Sequence, residues 1–263
     1  MGKMQEALRK AEEARSRGAD AAVAPGAATS AGTGTATSFA ISGAMRGGEV
    51  DPHLVTMTEP HSGAADQYRA LAAELLALSP AQPFKVFMVT SSVPNEGRSV
   101  TALNLACAIA EKSGKRVIAV DADLSNPGLH RLLGIDNQRG LADYLSGGTM
   151  IEMVIQRSRV SNLWALPAGR TPPNPGELLG GKRMDDLLAR LRRDYDFVVI
   201  DTAAVVSTSD ASVLAPRADA TLLVVRMERT PREVARHAVG LLKTAKANLV
   251  GTVLTGAGAA ASR

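Results

Sequence analysis

Residues 86–108 read VFMVTSSVPNEGRSVTALNLACA. A β-branched and apolar run leads into a polar loop and then into apolar residues at helical spacing, the order strand, loop, helix. In that setting G-x-x-x-x-G-K-[ST] builds a loop whose backbone N–H groups close around a phosphate. Here Ser92 takes the first glycine position, Gly97 the second, Arg98 the lysine position and Ser99 the hydroxyl position. The N–H groups of residues 95–99 would converge on one point, and the start of the next helix adds partial positive charge. Pro94, Asn95, Glu96, Gly97, Arg98, Ser99 and Val100 are therefore the candidate nucleotide-binding residues. Arg98 departs from the pattern, because a planar guanidinium fork does not replace a compact ammonium. Taken alone, the loop also reads as an ordinary strand–helix turn with a capping serine.

Two further segments favour the phosphate reading. VIAVDAD at 117–123 puts Asp121 and Asp123 just past an apolar strand, and FVVIDT at 197–202 ends another strand with Asp201. Parallel sheets bind ligands at the carboxyl ends of their strands, and carboxylates there, beside a serine hydroxyl, suit Mg²⁺. Each aspartate by itself also reads as a turn residue.

Outward from this core, strands are expected at 85–90, 116–120, 163–166, 197–200, 220–225 and 249–254, separated by helical segments. Several of the runs are continuously apolar, as strands covered on both faces must be. The clearest helix is 231–246, with Thr230 and Glu233 as a capping box and Pro231 at its first position. A helix over 64–78 presents Tyr68, Leu71, Leu75 and Leu78 on one face. The fold class that follows is α/β, a mostly parallel sheet with helices on both faces. Four segments are expected: a short helix over 1–17, a flexible Ala/Gly/Ser/Thr-rich linker over 18–60, the nucleotide-binding domain over 61–256, and a disordered tail over 257–263.

Composition narrows the class further. The 263 residues are 45% apolar and 3% aromatic, with a net charge of +4 and one cysteine. The single cysteine excludes a disulfide framework and a cysteine zinc cluster. The charge is too mild to argue for nucleic acid, and no apolar run reaches the roughly 20 residues of a membrane helix. A cytoplasmic protein without a membrane span is expected.

These motifs resemble the bacterial tyrosine kinases of capsule and exopolysaccharide synthesis, relatives of the ParA/MinD-like phosphate-loop ATPases. SSVPNEGRSVTALNLA is similar to their Walker A region, VIAVDADLSNPGLHRLLG to the Walker A′ segment, and FVVIDTAAVVSTSDASVLAPRADATLLVVR, with Asp210, to Walker B. GLADYLSG at 140–147 and LPAGRTPPNPGELL at 166–179 separate this family from other phosphate-loop proteins. The partitioning ATPases carry a second lysine where Val93 stands, so a positioning ATPase is the lesser reading.

The resemblance implies binding of ATP and Mg²⁺ and transfer of the γ-phosphoryl group to a tyrosine hydroxyl. Arg98 would contact the β- and γ-phosphates, and Ser99, Asp123 and Asp201 would hold the metal. Asp121 would accept the tyrosyl proton, although spacing does not separate it from Asp123. A membrane-bound polysaccharide co-polymerase, or chain-length determinant, is the implied activator, and it would recruit the protein to the inner face of the membrane. Departures are Arg98, Ser125 where the family has arginine, and Ala203 and Ala204 where it has prolines. The ring-forming charges are reduced to Asp66, Arg69 and Ala72, and the tail over 257–263 lacks tyrosine. Self-association without the partner is therefore expected to be weak, with Ala72→Arg increasing it. An inactive pseudokinase scaffold is the alternative.

Overall fold

The computed structural model describes residues 48–78 and 84–256. The helix expected over 1–17, the linker up to residue 47 and the tail over 257–263 lie outside the described residues.

The domain is built on strands β1 (Val86–Ser91), β2 (Val117–Asp121), β3 (Gln156–Arg157), β4 (Leu163–Leu166), β5 (Phe197–Asp201), β6 (Ala220–Arg226) and β7 (Leu249–Thr255). They form one 7-stranded sheet in the order β3-β4-β2-β5-β1-β6-β7. Every pairing is parallel except β3–β4. The strands expected from sequence match six of these within a residue or two. The short β3 had no signal, because Gln156 and Arg157 carry neither apolar alternation nor β-branching.

Side chains alternate along each strand, so one run feeds two cores. Val86, Met88, Ile118, Val120, Val198 and Ile200 face one side, and Phe87, Val89, Val117, Ala119 and Val199 face the other. The second face is covered by α1 (Val55–Thr58), α2 (Gly63–Ala77), α3 (Arg98–Ser113) and α4 (Leu129–Leu133). The first face is covered by α5 (Leu141–Leu145), α6 (Pro175–Gly180), α7 (Lys182–Asp194), α8 (Asp210–Leu214) and α9 (Arg232–Thr244). Few aromatics are needed, since Ala102, Ala106 and Ala110 let α3 lie close on the sheet.

Three sequence expectations change. The linker ends before residue 60: Leu54 is fully buried, Gly48 N–H donates to Gly134 C=O at 3.0 Å, and Asp51 N–H to Leu132 C=O at 2.9 Å. The region after Gly48 contains enough apolar and hydrogen-bonding groups to pack. Thr230 does not cap α9; its hydroxyl donates to Glu96, and Pro231 stands at the cap without a side-chain bond. On α2, Ala72 is fully buried while Leu78 is exposed. Arg69 is taken up within the molecule, donating to Pro60 C=O at 2.6 Å and to Asp66 at 3.0 Å.

Candidate nucleotide site

The site forms where β1, β2 and β5 end side by side. In the β2–β5 ladder Asp121 lies directly opposite Asp201, so two carboxylates far apart in sequence become neighbours. Between β1 and α3 the loop turns through left-handed backbone at Asn95 (φ 67°) and Gly97 (φ 87°) before α3 begins at Arg98. This curls successive N–H groups toward the helix start, the geometry of an anion cradle. Pro94, Asn95, Gly97, Arg98, Ser99 and Val100 line a cleft of about 400 Å³, which Asp123 and Ser125 also line.

Glu96, expected among the nucleotide contacts, turns its side chain away from this cleft and is 2% exposed. Its carboxylate accepts the N–H of Val93 at 2.9 Å, the N–H of Arg226 at 3.3 Å and the hydroxyl of Thr230. Thr255 Oγ1 donates to the Glu96 carbonyl at 2.6 Å. Glu96 thus braces the cradle against β6 and β7.

The carboxylates beneath the cleft are crowded. Asp121 is fully buried; its Oδ2 accepts the N–H groups of Gly128 and Leu129 at 3.0 Å each. Burial, and then the Asp201 charge, push its pKa up to about 8. Asp201 is fully buried too. Burial raises its pKa, and the Arg98 charge and the Ser99 hydroxyl work against that rise. Asp123 lines the cleft and accepts the N–H of Asn126 at 3.0 Å. Asp210, on α8, has its pKa raised by burial and then by the Asp123 charge.

Arg98 is held by two carboxylates. Its Nε donates to Asp201 Oδ1 at 2.9 Å and its Nη2 to Asp123 Oδ2, and the side chain is only 10% exposed. Arg98 lines the cleft, and its guanidinium is bound to the carboxylates expected to hold the metal. The reason is electrostatic: buried carboxylates need a counter-charge, and Arg98 is the cation within reach. The oxygen-rich set of Ser99, Asp123 and Asp201 still fits Mg²⁺, a hard cation. Asp201 Oδ2 is buried without a hydrogen-bond partner among the described residues.

Sequence reading missed one cation here. Arg131, exposed on α4, lines the same cleft, and no ion pair to it is seen among the described residues. Nothing in its spacing marked it; the fold of α4 against the loop after β2 brings it there.

A strand–loop–helix cradle at the carboxyl edge of a parallel sheet, facing strand-end aspartates, defines a phosphate-loop nucleotide-binding protein. The AAA domain family matches residues 95–246. The tyrosine-protein kinase YwqD of Bacillus subtilis is 36% identical over 211 residues, covering 80% of this chain and 89% of that protein. The tyrosine-protein kinase etk of Escherichia coli K12 is 31% identical over 77% of this chain, which spans only 28% of that longer protein. The solved kinase domain of Escherichia coli tyrosine kinase ETK superposes with a TM-score of 0.73 at 30% identity, covering 80% of this chain and 84% of that one. The chain belongs to the bacterial tyrosine-protein kinase family of phosphate-loop ATPases.

Proposed function

We propose that the chain binds Mg-ATP and transfers the γ-phosphoryl group to a tyrosine of a protein of capsule or exopolysaccharide assembly, regulating polymerisation or export. The observation that carries this reading is the cradle of residues 94–100 facing Asp123 across one cleft. In it the backbone of residues 95–99 binds and orients the phosphates, and Ser99, Asp123 and Asp201 hold the metal. The metal supplies charge neutralisation at the phosphoryl oxygens. Asp121 accepts the tyrosyl proton: its raised pKa suits a base near neutral pH. It lies below the cleft surface here, and catalytic hydrogen bonds commonly form only in the loaded complex. The three tyrosines, Tyr68, Tyr144 and Tyr195, lie on or at the ends of α2, α5 and α7, which favours a tyrosine on another protein as acceptor.

A membrane-bound polysaccharide co-polymerase is the proposed activator. No helix among the described residues is long and apolar enough to cross a membrane; recruitment to the inner membrane face is assigned to that partner. Weak self-association in its absence accords with Arg69 being engaged within its own subunit. A second reading, a nucleotide-gated scaffold without transfer, is favoured by one observation: Arg98 is bound to Asp123 and Asp201. Incubation of the full chain and the activator's cytoplasmic segment with labelled ATP separates the two. Phosphotyrosine on any protein supports the kinase, and nucleotide binding without phosphotyrosine supports the scaffold.

A further inference from the structure

We propose that Arg98 and a divalent cation compete for the carboxylates of Asp123 and Asp201, so that the metal enters only when nucleotide phosphates draw Arg98 away. This rests on the nucleotide-site reading above and assigns Arg98 a role beyond phosphate contact. A lysine ammonium is a single point of charge, whereas the guanidinium fork engages both carboxylates at once, through Nε to Asp201 and Nη2 to Asp123. The replacement at position 98 therefore changes the resting state of the site. The chain carries its own cation where a metal would sit.

Two features show that this cation can be exchanged. Asp201 is completely buried, and its Oδ2 has no partner, so the site retains an acceptor that Arg98 does not use. Arg98 also opens α3 directly behind Gly97, at the rim of the cradle where phosphates would bind, and it lines the same cleft as Asp123. In this proposal its guanidinium passes from carboxylate to phosphate by rotation of its own side chain. Departure without a replacement would leave buried carboxylates uncompensated, which is strongly unfavourable. Exchange is therefore concerted: the phosphates take the guanidinium, and the metal takes the carboxylates. Nucleotide-free protein binds divalent cation poorly, and nucleotide and cation bind together.

The test uses Mn²⁺ alone as the probe on the full chain, followed by calorimetry or electron spin resonance. Nucleotide-free wild-type protein should bind Mn²⁺ at least roughly tenfold more weakly than Arg98→Gln, whose carboxylates are left without their counter-charge. Adding ADP to the wild type should bring its Mn²⁺ affinity toward that of the variant. Should Arg98→Gln fail to fold, Arg98→Lys replaces it; an ammonium cannot span both carboxylates, so Mn²⁺ affinity should lie measurably above wild type. Equal Mn²⁺ affinity in nucleotide-free wild type and a folded variant overturns the competition. Absence of ADP binding in every sample would instead overturn the nucleotide-site reading, while the nucleotide-free comparison still decides the role of Arg98.

Discussion

The Thr230 hydroxyl donates to the buried carboxylate of Glu96, a residue 134 positions earlier in the chain. The bond ties the phosphate cradle to the turn before α9. Glu96 is therefore a support of the loop, set by side-chain contacts on the side away from the cleft.

Replacing Glu96 by Ala removes the acceptor of the Val93 and Arg226 N–H groups and of the Thr230 hydroxyl; Val93 and Thr230 are half-buried and Arg226 is exposed. A fully buried unsatisfied group costs about 1–3 kcal/mol; because water reaches part of this set, Glu96→Ala should lose roughly 2–4 kcal/mol in denaturant unfolding and bind ADP more weakly. Glu96→Gln keeps the shape but turns a donor toward N–H groups, and should fall between. A Glu96→Ala protein with wild-type stability and affinity would show that the loop holds its form without this brace.

Asp121 makes stability depend on pH. Its folded pKa, raised to about 8, lies above the ordinary carboxylate value, so between the two the native state holds a proton that the unfolded chain releases. The contribution is complete below the unfolded value and is lost as pH rises through the folded one. Urea midpoints should therefore fall between about pH 4 and pH 8. Asp121→Asn, which keeps an acceptor for the N–H groups of Gly128 and Leu129, should flatten that fall and abolish tyrosine phosphorylation. The same slope in both proteins would place the titration elsewhere.

Asn104, fully buried on α3, holds the segment ahead of α2. Its Oδ1 accepts Thr56 N–H at 3.0 Å and the Thr56 hydroxyl at 2.9 Å, and its Nδ2 donates to His53 C=O at 2.9 Å. Burial of Leu54 contributes about 1.5–3 kcal/mol, which by itself does not offset the ordering of a dozen residues at about 1 kcal/mol or more each. Asn104→Ala should release residues 48–58, seen as faster amide exchange there with the sheet still protected. Unchanged exchange in that segment would assign its anchoring to other contacts.

Ala72→Arg was expected from sequence to restore a ring charge and increase self-association. Ala72 instead has no exposed surface and belongs to the core that packs α2 against α3. Overfilling such a site costs about 1–3 kcal/mol, and burying a charge costs more. The variant should melt well below wild type. A normally stable protein forming a defined oligomer in light scattering would restore the original expectation.

Cys107 offers a check on the packing of α3. It has no exposed surface, and burial pushes its pKa up to about 12, so little thiolate is available for reaction. The native protein should resist thiol reagents at pH 8 and react fully once unfolded. Rapid native labelling would mean that α3 opens readily.

Much of the fold was legible because it rests on local chemistry. Apolar β-branched runs such as Val86–Val89 and Val117–Val120 declare strands buried on both faces. The loop at 92–99 declares itself by residue type at fixed spacing, and strand-end aspartates follow from where apolar runs stop. Boundaries were less legible where a polar group had a choice of partner. Thr230 satisfies the local rule for a helix cap, yet its hydroxyl is drawn to a buried carboxylate from another loop and the cap falls on Pro231, and nothing within a few residues of Thr230 reports that.

The alternating α/β order, the phosphate loop and the strand-end aspartates are legible from local residues, because each depends on neighbours within a turn or a strand. Tertiary structure alone decided which groups face one another. The β2–β5 register sets Asp121 opposite Asp201, and the junction of β1 and α3 sends Arg98 onto Asp123 and Asp201. The fold over α4 brings Arg131 to the cleft, and Glu96 turns inward to brace the loop. These are long-range choices made by burial: a charge removed from water takes the nearest opposite charge or donor that the packed sheet provides, wherever that partner stands in the chain.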